Sequence, residues 1–184
     1  TGCARGGCTF TQFMWSADGP LVLPCGHPKW FPDGTAAVAK VLPLGRLRWI
    51  QFGHLEADEC GAMNEWLAAC PWSQIVHGVV GACVSIDDMA DRPARVLLDD
   101  NVLDLGGRRI RFIETPHGPH GWDAGVIYEE ETSTLFFGRL FAHGGPCPAV
   151  PPSEPPRPAT AATPAGLSPA PTPVPTTTLL SRAA

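Results

Sequence analysis

His54, Glu56 and Asp58 stand two residues apart in the stretch from Gly53 to Gly61. One imidazole and two carboxylates make a nitrogen-and-oxygen donor set suited to a divalent first-row metal. In an extended segment, side chains two apart point the same way, so the three would converge. The same residues, with Glu59 beside them, also read as a solvated acidic loop, and spacing alone leaves both readings open. Cys60 adjoins the cluster. The seven cysteines are scattered and none forms a CxxC pair, so they read as reduced thiols of a cytoplasmic protein, mostly small core residues.

The cluster needs elements to hold it. Leu47 to Phe52 is an apolar run long enough for a strand. Gly61 to Ala69 places Met63, Trp66 and Leu67 on one helical face. The polar turn between them then falls at the end of a strand, where an α/β sheet keeps its ligands. Upstream, residues 9–15 and 20–24 read as strands around an Asp18-Gly19 turn, and 34–42 as a short helix. His27 lies in the loop between them and reads as solvated. Downstream, Ser73 to Val76 reads as a strand and Val79 to Met89 as a helix, with His77 a satisfied histidine at the strand end. Asp87, Asp88 and Asp91 read as the loop after that helix. Strands are expected at 95–98, 101–105 and 108–113, the last two around Gly106-Gly107, and again at 122–128 and 134–137.

A second loop carries histidines: Thr115-Pro-His-Gly-Pro-His-Gly-Trp-Asp123, again after a strand. Strands and helices alternating, with such loops after strands, indicate an α/β sandwich of enzyme type. The length of 184 residues and a hydrophobic content of 44% support one domain with a packed core. A net charge of −5 argues against general nucleic-acid binding, and no apolar run is long enough to span a membrane. Composition changes at Gly144. Twelve of the 21 prolines lie in 144–184, with no aromatic residue after Phe141. Residues 1–143 are therefore expected to form the domain, and 144–184 a disordered Pro/Ala/Thr-rich tail.

His54-x-Glu56-x-Asp58, then Thr115-Pro-His-Gly-Pro-His120-Gly-Trp-Asp123, then Thr134-Leu-Phe-Phe-Gly138 together resemble the metallo-β-lactamase superfamily over residues 9 to 143. Glu56, where hydrolases of that superfamily place His, resembles its oxygen-binding di-iron branch, related to flavodiiron proteins. The resemblance implies an αββα sandwich, here incomplete, with iron between two sheets. It implies His54, Glu56, Asp58 and His120 as metal ligands, with His117, Glu59, Asp123 and Arg139 as candidate outer partners of those ligands. It implies dioxygen or another small molecule as the substrate, a redox partner protein, and compatibility with a homo-oligomer. Three departures stand out. Glu59 occupies a position where many relatives have a histidine of the second iron. Arg139 occupies the position of a bridging aspartate. No histidine follows far downstream. The expectation is one or two iron ions with the second site impaired, in a truncated or degenerate member with reduced or lost activity. No flavodoxin-like domain is recognisable, so FMN is not expected. Two alternatives stay open: a zinc hydrolase of the same fold, and an inactive partner-binding protein working through its Pro-rich tail.

Overall fold

The computed structural model describes residues 10–117, 121–138 and 175–180, the last six and Phe10 as backbone only. Two sheets form the centre. The first has six strands in the order β10-β1-β2-β3-β4-β5: β1 (Phe10–Trp15), β2 (Leu21–Leu23), β3 (Trp49–Ile50), β4 (Gln74–Gly78), β5 (Arg95–Leu97) and β10 (Pro175–Leu180). Only β1 and β2 pair antiparallel; the other neighbours run parallel. The second sheet is antiparallel: β6 (Val102–Asp104), β7 (Arg109–Glu114), β8 (Gly125–Glu129) and β9 (Thr134–Phe136).

Alternation along the strands explains the layering. Successive strand residues face opposite sides of a sheet. Met14, Val22, Ile50 and Ile75 accordingly enter one buried cluster, and their neighbours Trp15, Leu21, Leu23, Trp49 and Val76 enter another. A sheet apolar on both faces needs a layer on each. Helices supply one: α1 (Phe31–Val38), α2 (Ala57–Cys60), α3 (Met63–Ala69), and a run made of α4 (Val79–Gly81), a π-helical segment (Ala82–Ile86) and α5 (Asp87–Met89). Val38, Cys60, Met63, Trp66, Leu67 and Ile86 from these helices join the first cluster. The second sheet supplies the other layer through Leu103, Ile110, Phe112 and Ile127. This is three layers of the expected αββα sandwich. Among the described residues no helix covers the outer face of the second sheet.

Most expected elements recur with shifted ends. Gly106 and Gly107 make the expected turn between β6 and β7, both at positive φ (80° and 86°), which side chains disfavour. Three differences have physical causes. β3 pairs over only two residues, because the chain beyond Ile50 turns away to form the loop of the first motif. β4 continues to Gly78, so His77 is inside the strand rather than at its end. Pro175–Leu180 pairs in parallel register with β1, within a stretch expected to be disordered. Thr176, Thr177, Thr178, Leu179 and Leu180 form a proline-free, β-prone run that the proline-rich average conceals.

Candidate metal centre

The first motif leaves β3 at its C-terminal end and is pinned from three sides. The Gly53 N–H donates to Glu59 Oε2 at 2.9 Å, and the Gly53 carbonyl accepts from the Gly125 N–H at 2.9 Å. The Leu55 N–H donates to Asp123 Oδ2 at 2.9 Å. Glu59 is itself held on α2, where its carbonyl accepts from the Gly26 N–H and the Cys25 thiol, each at 3.0 Å. The second motif folds back on itself through Thr115 N–H to the Ala124 carbonyl at 2.8 Å. The two histidine-bearing loops are thus tied together across the ends of the two sheets, as an active-site loop pair requires.

This framework brings His54 and Glu56 together. His54 Nε2 lies 3.2 Å from Glu56 Oε2, with the imidazole buried and the carboxylate about a third exposed. Both therefore have donor atoms near enough to share one ion. The extended spacing that pairs them does not carry on to Asp58. Glu56 is the last extended residue (φ −132°, ψ 154°), and α2 begins at Ala57. Asp58 sits in the first turn of that helix, so the alternation argument stops short of it. Of the outer candidates, Glu59 and Asp123 serve as acceptors for the loop backbone. His117 is exposed at φ 60°. His120 and Arg139 lie outside the described residues.

His77 departs from its expected role as a satisfied strand-end histidine. It is fully buried, and neither ring nitrogen has a hydrogen-bond partner among the described residues. The Gly78 backbone is near it but short of hydrogen-bond geometry. The ring packs against Phe52 at 5.0 Å and lies 6.2 Å from Phe112. Burial pushes its pKa down to about 4, the Asp123 charge and the Gly78 backbone pull it partway back up, and His54 adds to the fall. The available signal was alternation: one more strand residue beyond Val76, paired against β5, points inward beside Ile75. Gln51 was missed for the same reason. It too is fully buried, its Nε2 donating to the Phe52 carbonyl and its Oε1 unpartnered among the described residues.

Cys60 is buried, and burial foremost, with the Glu59, Asp123 and Asp58 charges, pushes its thiol up to about 11. No three His, Cys, Asp or Glu among the described residues stand close enough to hold one ion. The donors present nevertheless fit iron in kind, with one histidine and one carboxylate in contact.

No family profile matches the chain. It is 23% identical over 140 residues to an anaerobic nitric oxide reductase flavorubredoxin of Pectobacterium carotovorum, a match covering 73% of this chain and 27% of that protein. Its structure is similar to that of a rubredoxin:oxygen oxidoreductase from Desulfovibrio gigas (TM-score 0.61, 20% identity, 66% of this chain and 31% of that one). It is also similar to the metal-soaked Flv1 flavodiiron core from Synechocystis (TM-score 0.62, 24% identity, 72% and 34%). The chain thus spans about a third of the length of these relatives, or less. These names correct the expectation that no FMN domain is involved. Flavodiiron and flavorubredoxin couple a flavin to iron, so the lack of a recognisable flavodoxin-like stretch in 184 residues is no argument against one. Among the described residues, no helix is long and apolar enough to cross a membrane. The chain carries the metallo-β-lactamase-type fold of the flavodiiron proteins and, through its motifs, resembles that branch.

Proposed function

We propose that this chain is an iron-binding domain acting on a small diatomic molecule, dioxygen or nitric oxide, with electrons supplied by a redox partner. The observation that carries the reading is the His54–Glu56 contact of 3.2 Å at the end of β3, anchored by Asp123 from the second motif. Glu56 gives the site an oxygen donor where the hydrolases of the superfamily place a second imidazole, which favours iron over a zinc centre. His54 and Glu56 hold the ion, and His120 is their proposed third partner. Glu59 and Asp123 keep the loop in shape by accepting its N–H groups. Iron, when bound, supplies the one-electron chemistry that amino-acid side chains lack. The relatives' names point the same way, one to nitric oxide and one to oxygen.

The test is anaerobic purification, iron loading, and measurement of dioxygen and nitric oxide consumption with a chemical reductant. Consumption of either gas that disappears in His54→Ala supports the reading. An iron-loaded protein that consumes neither gas contradicts it.

A further inference from the structure

We propose that the cleft at the N-terminal edge of the first sheet, built on Arg48, Trp72 and Arg95, is a docking site for an acidic peptide segment of a partner protein. The site is separate from the metal centre and does not depend on the iron-binding reading. β3, β4 and β5 run parallel, so their starts share one edge of the sheet. Arg48 precedes β3, Trp72 and Ser73 precede β4, and Arg95 opens β5. His54 follows the other end of β3, so the length of the strands separates the two sites.

The first observation is uncompensated charge. On the second sheet, Arg108, Arg109 and Arg111 each meet a carboxylate of Glu129, Glu130 or Asp100. No carboxylate among the described residues meets Arg48, Arg92 or Arg95. Three guanidinium groups are thus left for an outside anion, in a chain whose net charge is −5. The second observation is preorganisation. The Arg48 and Arg95 guanidiniums lie over the Trp49 ring, 4.6 and 5.1 Å from its centroid. A guanidinium stacked on an aromatic face keeps its N–H edge free to grip a carboxylate with two hydrogen bonds. Arg48 also donates to the Trp72 carbonyl, and Arg92 donates to the carbonyls of Leu67, Cys70 and Ser73, so the backbone fixes both side chains. The third observation is apolar surface beside the charge. Trp72 is 75% exposed and, with Pro71 and Pro93, borders a surface cleft of about 290 Å³ that reaches Arg48 and Arg92. Size narrows the occupant. Pockets that enclose small molecules run roughly 300–1,000 Å³, so this cleft admits one or two side chains rather than a whole cofactor. Arginine and tryptophan are also the residue types that anchor protein interfaces. An acidic residue next to an apolar one fits: the carboxylate on the guanidiniums, the apolar side chain on Trp72.

The test is fluorescence anisotropy of a labelled peptide of glutamate and leucine, titrated with the full chain at low ionic strength. A chelator keeps the peptide carboxylates from reaching any bound metal. Saturable binding is expected, weakening as salt is added. Arg95→Gln and Trp72→Ala are each expected to bind at least about fivefold more weakly than wild type. Both side chains are exposed, so the fold tolerates both changes, and far-UV circular dichroism checks this. Arg109→Gln, which removes an exposed arginine of the second sheet, is expected to match wild type. A peptide with lysine in place of glutamate is expected not to bind. Absence of binding by wild type would overturn the proposal. Wild-type affinity in Arg95→Gln or in Trp72→Ala would also overturn it, marking a diffuse charge effect. Displacement of the peptide by an equal concentration of inorganic phosphate would overturn it as well, marking a site for a small oxyanion.

Discussion

Asp123 and Glu56 are both carboxylates of the candidate centre, yet their surroundings give them different work. Asp123 accepts the Leu55 N–H and joins the two motif loops, whereas Glu56 meets the His54 ring directly. Asp123→Ala removes a charge-assisted hydrogen bond and is expected to destabilise the fold by about 1.5–3 kcal/mol, read as a lower midpoint in urea unfolding. Asp123→Asn retains an acceptor and is expected to lose less. His77 predicts a pH dependence in protein stripped of metal. Its folded pKa of about 4 lies below the ordinary 6.5, so the unfolded chain takes up the proton first as pH falls. The stability from keeping this ring neutral is therefore intact above pH 6.5 and lost between pH 6.5 and 4, by about 3 kcal/mol. His77→Gln is expected to flatten that part of the stability curve, and an unchanged slope would contradict the assignment. Arg139 stands outside the described residues, and its prediction comes from charge alone. A fixed positive charge about 4 Å from a dication, at an effective dielectric of about 20, costs roughly 8 kcal/mol. With Arg139 in the bridging position that the motif resemblance implies, a second ion is expected to be disfavoured, and Arg139→Asp is expected to raise metal occupancy measured by elemental analysis.

At the scale of elements, the centre depends on short segments whose ends decide everything. β7 was legible because apolar and polar residues alternate, Phe112 and Ile110 against Arg111 and Arg109, and β2, β4 and β8 were legible as short apolar runs between turn signals. The helix carrying Met63, Trp66 and Leu67 was legible from the same kind of spacing. The junctions were not. Nothing local marks Ala57 as the start of α2, because the helix is anchored through the distant Cys25 and Gly26, which donate to the Glu59 carbonyl, and so Asp58 was assigned to an extended segment. The end of β4 depends on pairing with β5, where His77 lies opposite Val96, a contact set by tertiary structure. Gly81 tests this local geometry. Gly81→Ala drives a methyl group to 2.5 Å from His77 Nδ1, and overpacking of this kind costs about 1–3 kcal/mol. The expected result is a lower melting temperature. A melting temperature equal to wild type would show that the ring has more room than the structure gives it.

At the scale of the whole molecule, a sheet apolar on both faces is the device that makes a centre here. Helices close one face and the second sheet closes the other, so the loops leaving β3 and β7 meet at the open end between the sheets. An α/β sandwich followed from residue patterns and its αββα layering from the motif resemblance, and the pairing of His54 with Glu56 followed from their spacing. What the patterns did not supply was that His77 is fully buried with neither ring nitrogen partnered among the described residues. The fold is that of far longer flavodiiron proteins, of which this chain spans about a third or less, so its activity has to be established on the chain itself. The most direct measurement is iron per chain after anaerobic purification and loading, in wild type and in His54→Ala. The account predicts iron held by the native protein, near one ion per chain, and lost in His54→Ala. A native protein that holds no iron, or a His54→Ala variant that holds as much as wild type, would contradict it.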